Sequence, residues 1–415
     1  MATRRRTDWF RRHWKVLAAI YVVLVIASHL ATIFWQSGNR PFDKQRRILE
    51  VAGHNLSYVE WGGSDPRRTP LILLHGSPGR GARDWESFGP EAAKDGRRVI
   101  AVDRWGYGDS EPYVEDYSYH SDAAAVIGLM DQLGIQRAHV AGWSYGGAPA
   151  IVLGDLHPDR IRSVTLVSSI GIQKGEGSGS YLVEHIKYSL GFVFFVALPE
   201  VIPHFGLLGP RSSRYAFIRD FLDGDQRSLE LRLGTLTQPV LITHGKFDPF
   251  VPAWVAQEHH RIQPRSRLLM LNGSHFYPFG FSPDVNFEIA VKEIRGFLAA
   301  VDAGKADSTF GFRNLNARKD FRALWDGGPP LRGYKPWWLI MLGGTVLGMF
   351  IPRTGAAFAG LGGALLLFDL GTALAGVLLG SVIRIGESTR GRNVAWVLAL
   401  GLLMAIPGAF LLPFL

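Results

Sequence analysis

The chain of 415 residues contains no cysteine, which excludes disulfides, thiolate zinc sites and a cysteine nucleophile. Charged residues are sparse too, at 20% of the chain, whereas hydrophobic residues reach 47%. We find no RNA- or DNA-binding module, and therefore expect no nucleic-acid partner. The length allows one large domain with appendages, and the hydrophobic share, high for a soluble enzyme, indicates that some appendages enter a membrane.

The basic residues that give the net charge of +9 are concentrated before the first apolar run, Val16 to Trp35. About 20 residues without a charge are long enough to cross the hydrocarbon core as a helix. The basic flank predicts a cytoplasmic N-terminus; its members are Arg4, Arg5, Arg6, Arg11, Arg12 and Lys15. A cleaved signal peptide ending near Ala27 is the alternative. Because the apolar run continues to Trp35, we expect residues 1–38 to be an uncleaved anchor in phospholipid.

From residue 39 to 301, short β-rich runs alternate with helical stretches, which predicts an α/β domain with a mostly parallel sheet. Arg47–Val51 and Leu56–Trp61 are expected to form an opening hairpin. The alternation lapses at about 169–238, where the apolar stretch 181–208 and the amphipathic stretch 214–233 predict an inserted helical lid. The lid phenylalanines either roof a pocket for an apolar substrate or pack on the domain core.

Residues 302–335 are polar and predict a linker, and three apolar runs within 336–415 predict a multi-helix membrane region. Asp369 interrupts the middle run, where it has a functional role or marks a break between two short helices. We expect a multi-pass protein of a bacterial-type inner or plasma membrane, with the central domain on the non-cytoplasmic side. The number of C-terminal spans stays open, because three spans place Arg384, Arg390 and Arg392 against the positive-inside rule.

The segment Gly142-Trp143-Ser144-Tyr145-Gly146 lies between a β-rich run and an Ala/Leu-rich helical pattern. A serine at the apex of so sharp a strand-to-helix turn has strained backbone angles, and the flanking glycines let strand and helix pass closely. The turn exposes the serine hydroxyl and leaves the next N–H free at a helix N-terminus. The pattern is that of a nucleophile elbow centred on Ser144.

Acyl transfer by an activated serine requires a histidine to accept its proton and a carboxylate to hold that histidine in place. Asp248 follows the predicted strand 239–244, and His275 lies in a Gly-flanked loop after the next strand. The order serine, acid, histidine is the one found with such an elbow. We therefore predict Ser144, Asp248 and His275 as a catalytic triad.

The developing oxyanion needs two hydrogen-bond donors near the nucleophile. The backbone N–H of Tyr145, directly after the serine, is one candidate. The Gly-rich turn His75–Gly79 supplies the other, and Ser77 is favoured because Pro78 has no N–H. The Ser77 hydroxyl either assists or is an ordinary turn serine.

Five segments together resemble the α/β-hydrolase superfamily, nearest its esterases, epoxide hydrolases, dehalogenases and proline iminopeptidases. The resemblance implies Ser144, Asp248 and His275 as the triad and Ser77 with Tyr145 as the oxyanion hole. It also implies that Asp103 and Arg104 form a structural turn. The segments are His75-Gly76-Ser77-Pro78-Gly79, Asp103-Arg104-Trp105-Gly106-Tyr107-Gly108-Asp109-Ser110, Gly142-Trp143-Ser144-Tyr145-Gly146, Gly245-Lys246-Phe247-Asp248 and Gly273-Ser274-His275.

Two branches of that superfamily fit poorly. Epoxide hydrolases and dehalogenases use an aspartate nucleophile where this chain has Ser144, and no acidic site for a substrate amine, as an iminopeptidase needs, is evident in the sequence. We therefore expect a carboxylesterase- or lipase-like serine hydrolase acting on a small-molecule or lipid ester, without cofactor or metal. The alternatives are an acyltransferase with the same triad, and a membrane transport or assembly protein whose hydrolase domain is regulatory.

Overall fold

A computed structural model describes residues 2–37, 46–205, 210–279 and 285–314 of the chain. The rest of the predicted linker, the predicted membrane region 336–415 and Asp369 lie outside these residues, and so does most of the connection after the N-terminal apolar run.

The N-terminal apolar run is part of one long helix, α1 (Ala2–Ser37). Its segment Arg12–Ile33 is long and apolar enough to cross a membrane, judged by length and composition, and the lid segment Tyr181–Glu200 passes the same test. Most of the large apolar side chains of α1 are exposed, among them Val16, Ile20 and Val23. In water, these exposed side chains would gain none of the free energy that burial of apolar surface provides.

In the described part of the chain, nine strands form one sheet in the order β1-β2-β4-β3-β5-β6-β7-β8-β9. β1 pairs antiparallel with β2 and β2 antiparallel with β4, while every other pairing is parallel. This confirms the predicted opening hairpin and mostly parallel sheet. The strands are β1 (Arg47–Val51), β2 (His54–Gly62), β3 (Leu71–Leu74), β4 (Arg98–Val102), β5 (Ala138–Trp143), β6 (Ile161–Val167), β7 (Val240–Gly245), β8 (Ser266–Leu271) and β9 (Gly311–Asn314).

Helices cover both faces of this sheet, so the central strands are apolar on both sides. In β3, Ile72 and Leu74 pack in the cluster under α3 and α4, whereas Leu71 and Leu73 pack in the cluster under α2 and α9. The remaining helices are α2 (Phe88–Ala92), α3 (Tyr119–Gln132), α4 (Gly147–Leu156), α5 (Tyr181–Gly191), α6 (Arg211–Asp223), α7 (Leu229–Thr235), α8 (Ala253–Ile262) and α9 (Val285–Asp302).

The lid, inserted between β6 and β7, is more broken than its sequence predicts. The expected helix over 181–208 ends as α5 at Gly191 and continues as a wider π-turn over Phe192–Ala197. The expected helix over 214–233 is two helices, α6 and α7, separated by Gly224 and an Asp225 cap that accepts the Arg227 N–H. A glycine and a capping carboxylate are both signals that stop a helix.

The fold also extends past residue 301, where the composition predicts a linker. Asp302 is the last residue of α9, and its carboxylate accepts hydrogen bonds from Thr69 Oγ1 (2.7 Å) and His139 Nε2 (3.1 Å). Arg97 Nη2 approaches it to 3.4 Å. This carboxylate therefore ties together the amino-terminal ends of β3, β4 and β5, and β9 then adds an edge strand parallel to β8.

Candidate active site

Ser144 lies directly after β5, at the apex of a sharp turn into α4. Its φ of +54° is in the left-handed region that side-chain-bearing residues seldom adopt. A Cβ on Gly142 would lie 2.1 Å from the Gly146 carbonyl oxygen, and a Cβ on Gly146 would lie 2.4 Å from the Leu74 carbonyl oxygen. The turn therefore requires glycine at both positions, as the sequence pattern predicts.

Asp248 lies in the loop after β7, with its side chain fully buried among hydrogen-bond donors. Its Oδ1 accepts the backbone N–H groups of Phe250 and Val251, both at 2.9 Å. Its Oδ2 lies 2.6 Å from His275 Nδ1. Burial alone would raise the pKa of Asp248, but the charge and hydrogen bond of His275 outweigh it and lower that pKa. The carboxylate is thus held in its charged form.

Because the Asp248 carboxylate can only accept, the proton of this hydrogen bond is on His275 Nδ1. The second ring nitrogen, Nε2, is then free to accept a proton when the imidazole is neutral. The His275 side chain is 4% exposed, and Ser144 is 8% exposed. The structure thus pairs the predicted acid with the predicted base in the tautomer that proton abstraction needs.

Sequence reasoning missed a second histidine beside Asp248. His244, in β7, lies with its Nε2 at 3.5 Å from Asp248 Oδ2 and donates to the Val251 carbonyl at 2.9 Å. Asp248 therefore holds this loop by accepting the Val251 N–H, and His244 holds it by donating to the Val251 carbonyl. The i,i+4 spacing of His244 and Asp248 across the end of a strand was the signal present in the sequence.

Trp143 joins the elbow to the loop of the base. Its indole Nε1 donates to the backbone carbonyl of His275 at 3.0 Å, and the two rings lie 5.0 Å apart. The ring also packs edge-on against Phe279 at 4.5 Å. The residue before the candidate nucleophile therefore fixes the backbone of the candidate base.

We expect Trp143→Phe to lower kcat for ester hydrolysis about tenfold, because one buried hydrogen bond is worth about 1 kcal/mol and its loss frees the His275 loop. KM for a short ester should change little. Trp85→Phe is the matched control, since the buried Trp85 Nε1 donates to no group in the described residues. Equal effects of the two substitutions on kcat would show that Trp143 acts only through packing.

The turn predicted to supply an oxyanion donor lies against the elbow. A Cβ on Gly76 would lie 2.7 Å from the Trp143 ring and 3.0 Å from Ser144 Cβ, so only glycine lets the turn come this close. Tyr145 occupies the second position of the helical turn that begins at Ser144, where N–H groups have no acceptor within the helix. The structure thus places both predicted donor segments beside Ser144.

The hydroxyl of Ser77 is already engaged in a hydrogen bond with Tyr107. It lies 2.9 Å from the Tyr107 hydroxyl, whose own proton goes to Asp220 Oδ2 at 2.8 Å. Since a tyrosine hydroxyl has one proton, Ser77 must be the donor to Tyr107. Of the two Ser77 donors considered from the sequence, the backbone N–H is therefore the one left for an oxyanion.

A buried ion-pair network lies beneath this turn, and its lid member was not predicted. Arg104 bonds Asp122 of α3 and Asp220 of α6, each at 2.7 Å, and its guanidinium stacks on the Tyr145 ring at 4.1 Å. All three charged side chains are 0–2% exposed. The Tyr145 hydroxyl lies 3.0 Å from the Asp220 carbonyl oxygen. Arg104 thus has the structural role that the resemblance implies, and it also ties the lid to the core. Asp103 has a structural role as well, since its Oδ1 accepts the Ala82 N–H at 2.6 Å.

The lid phenylalanines have two kinds of surroundings, and neither is a roof over a pocket. Phe192 and Phe195 contact Tyr215 and Phe217 of α6, with ring centroids 6.0 and 6.5 Å apart. Phe194 and Phe205 instead are 43% and 45% exposed. The first pair packs within the lid, and the second pair faces outward rather than roofing a pocket.

The site residues lie at one edge of the sheet. Ser77, Ser144, Asp248 and His275 follow the carboxyl ends of β3, β5, β7 and β8, which is where ligands of open α/β sheets bind. Within the described residues, no group of three or more His, Cys, Asp or Glu side chains is placed to hold a metal ion. The arrangement of Ser144, His275 and Asp248 is suited to nucleophilic acyl chemistry.

A family model described as the alpha/beta hydrolase fold matches residues 69–190. Among curated proteins, the 2-hydroxy-6-oxononadienedioate/2-hydroxy-6-oxononatrienedioate hydrolase of Paraburkholderia phymatum is 30% identical over 224 residues, which cover 47% of this chain and 76% of that protein. The chain belongs to the α/β-hydrolase fold family. The observed sheet, elbow and inserted lid agree with this membership.

Two further relatives of this α/β hydrolase are named for different activities. The dihydrolipoyllysine-residue acetyltransferase component of the acetoin cleaving system of Pseudomonas putida is 30% identical over 238 residues, covering 54% of this chain and 62% of that protein. The proline iminopeptidase of Lactobacillus helveticus is 34% identical over 118 residues, covering 28% and 40%. The chain thus spans less than two thirds of either relative. The similarity to these three relatives supports hydrolase or acyl-transfer chemistry. Each of the three is named for a different substrate.

Proposed function

We propose that the chain is a membrane-anchored serine hydrolase that cleaves an ester bond in an acyl or lipid-like substrate. The chief support is the 2.6 Å hydrogen bond between Asp248 and His275, in a loop joined through Trp143 to the strained turn of Ser144. Nucleophile, acid and base follow one another along the chain in the expected order, and His275 has the tautomer that acyl transfer needs.

In the proposed reaction, Ser144 Oγ attacks the ester carbonyl carbon while His275 Nε2 accepts the hydroxyl proton. The carbonyl oxygen becomes an oxyanion that the N–H groups of Ser77 and Tyr145 stabilise. The C–O bond to the alcohol then breaks, and the alcohol leaves with the proton from His275. Water, activated by His275, attacks the acyl-enzyme and releases the carboxylic acid and Ser144.

The proposed location is a bacterial-type inner or plasma membrane, with the hydrolase domain on the non-cytoplasmic side. The charge-free run of α1, preceded by Arg11, Arg12 and Lys15, supports a cytoplasmic N-terminus. Phospholipid is then the proposed partner of α1. Resistance of the domain to protease in sealed inside-out vesicles, and its digestion after detergent is added, is the expected result.

The hydrolase proposal is tested with wild-type protein in detergent. We expect covalent labelling by a fluorophosphonate probe and hydrolysis of p-nitrophenyl esters, with longer acyl chains preferred over acetate. Labelling should slow while a saturating ester substrate is present, because both compete for Ser144. Failure both to label and to hydrolyse any ester of the series would refute the proposal.

Acyl transfer is the second candidate, favoured by the likeness to the Pseudomonas putida acetyltransferase component. The same acyl-enzyme serves both reactions, and only the acceptor that attacks it differs. Addition of alcohols to the ester assay separates the two, because a transferase forms a new ester at the expense of the free acid.

A further inference from the structure

One side of the lid consists of large apolar side chains that face away from the protein. We call it the outer lid face, and its members are 43–67% exposed. They recur at intervals of three and four residues along α5 and the turn after it, which is the spacing of one helix face. The residues of the outer lid face are Leu182, Val183, Ile186, Leu190, Val193 and Phe194.

The polar side chains of the same segment turn inward or pair locally. Glu184 is 3% exposed, accepts the Ser178 N–H at 2.8 Å and forms an ion pair with Lys187. His185 Nε2 lies 3.1 Å from the Leu222 carbonyl oxygen of α6. From residue 181 to 202, Lys187 and Ser189 are the only polar residues classed as exposed. The outward side of this segment is therefore nearly free of charge.

The far end of the lid is attached to α1 by hydrogen bonds. Ser28 Oγ accepts the backbone N–H groups of His204 and Phe205, both at 2.7 Å. His29 Nε2 donates to the Glu200 carbonyl at 3.0 Å. The Tyr21 hydroxyl also donates to the Val201 carbonyl. Residues 200–205 thus pack along the same helix that is proposed to cross the bilayer.

These contacts fix how deep the lid lies if α1 spans the membrane. Ser28 and Tyr21 precede Ile33, the end of the apolar segment, by 5 and 12 residues. At about 1.5 Å per residue they lie roughly 7 and 18 Å below that end, in a hydrocarbon core of about 30 Å. The turn 201–205 therefore enters the hydrocarbon core, and its contact with Tyr21 lies near the midplane.

At this depth, the backbone groups of the turn need hydrogen-bond partners within the protein, and α1 provides them. Backbone N–H groups outside a helix must find a protein acceptor where no water is present. Ser28 provides one acceptor for two such groups, and it is itself 1% exposed. The side chains around it, Val201, Ile202 and Phe205, are 45–51% exposed and apolar, so they are suited to acyl chains.

We propose that the outer lid face lies in the non-cytoplasmic leaflet of the bilayer that α1 crosses, so that lipid, not protein, covers it. This rests on the proposed anchoring by α1. The bilayer is the occupant because the residues that follow the face, 200–205, are hydrogen-bonded to α1 at hydrocarbon depth. An apolar helix in that position buries its face about 5–10 Å into the headgroup and acyl boundary. The lid then sits among the lipids from which an acyl substrate would come.

The cysteine-free chain allows the test by single labels. Leu190→Cys and Ile186→Cys, on the outer lid face, and the control Leu231→Cys, on α7 and 77% exposed, each receive an NBD fluorophore. The full chain is reconstituted in phosphatidylcholine–phosphatidylglycerol vesicles, with and without lipids that carry a doxyl quencher on the acyl chain. We expect blue-shifted emission and strong quenching at positions 186 and 190, and neither at position 231.

Outcomes at the two positions separate the occupants. Unquenched probes at 186 and 190 in membrane-inserted protein would overturn the proposal, whether water, a second copy or residues 336–415 adjoin the face. Resistance to carbonate extraction tests anchoring, and release by carbonate would overturn both the anchoring and the lid proposal. Each labelled variant is also assayed for hydrolysis of a short soluble ester, a reaction that does not depend on lipid contact. Loss of this hydrolysis would count against the hydrolase function or the folding of the variant, and not against the contact of the lid with lipid.

Discussion

Ser144→Ala is expected to lower kcat for p-nitrophenyl ester hydrolysis by about 10⁶-fold, the effect that loss of a serine nucleophile has in a triad enzyme. The substitution removes the atom that forms the acyl-enzyme, and no neighbouring group replaces it. KM should change little, because Tyr145 and Ser77 still offer their N–H groups to the substrate. Fluorophosphonate labelling should be lost altogether.

The control is Ser180→Ala, which removes an exposed serine from the lid loop at the start of α5. It should keep full labelling and most of the activity, since its hydroxyl only caps α5. Ser144→Ala should not disturb the fold, because it removes only the Oγ atom and the smaller alanine fits the same buried position. Labelling that survives in Ser144→Ala would place the nucleophile elsewhere.

Arg104→Met is expected to have the largest effect on stability. It leaves Asp122 and Asp220 buried without the cation that now lies 2.7 Å from each. Removing one partner of a buried ion pair costs about 3–5 kcal/mol, which is a large part of the 5–15 kcal/mol that holds a typical protein folded. For a domain of this size, we expect Tm to fall by about 10 °C in differential scanning fluorimetry.

Arg98→Met is the control, because the ion pair of Arg98 with Glu60 is partly exposed and is worth at most about 1 kcal/mol. Adding Asp122→Asn and Asp220→Asn to Arg104→Met should restore most of the lost Tm, since the uncompensated charges are then gone. A fall in Tm that is the same for Arg98→Met and Arg104→Met would contradict the assigned role of the network.

The Arg104→Met deficit should also depend on pH. Burial raises the pKa of Asp122, and it raises the pKa of Asp220 to about 7 despite the opposing charge of Arg104. Without that charge both values rise further in the folded state. A carboxyl whose folded pKa is raised stabilises the fold below its unfolded pKa, and this contribution is lost as the pH rises through the folded pKa. The deficit should therefore be larger at pH 8 than at pH 5.

The sequence was informative where function depends on a short local pattern. Glycines around Ser144, the Gly-rich turn at Ser77, and loops bearing Asp248 and His275 after apolar runs each mark the end of a strand. Parallel strands align their carboxyl ends, so loops that follow such strands come together at one edge of the sheet. The hydrogen bond from His275 to Asp248 agrees with that expectation, and the catalytic roles stay predictions until Ser144 is tested.

Features that depend on distant parts of the chain were not predictable. Asp220 lies in the lid, 116 residues from Arg104, and only folding brings the two together. The Trp143–His275 contact spans 132 residues in the same way. The lid sequence shows helical apolar spacing, but spacing alone does not say which face meets the protein. Edge strand β9 has four residues within a polar stretch, too little pattern to distinguish it from a linker.

The Asp302 carboxylate, at the amino-terminal ends of the strands, makes the stability of the fold less sensitive to mild acid. Burial alone would raise its pKa, but the hydrogen bonds and charges of its neighbours, His139 first, lower it to about 2. A carboxyl with a lowered folded pKa stabilises the fold fully above its unfolded pKa, near 4, and loses this effect progressively as the pH falls from there through the folded pKa of about 2. A domain on the outer side of a membrane would keep this tie between its strands through moderate acidification of its surroundings.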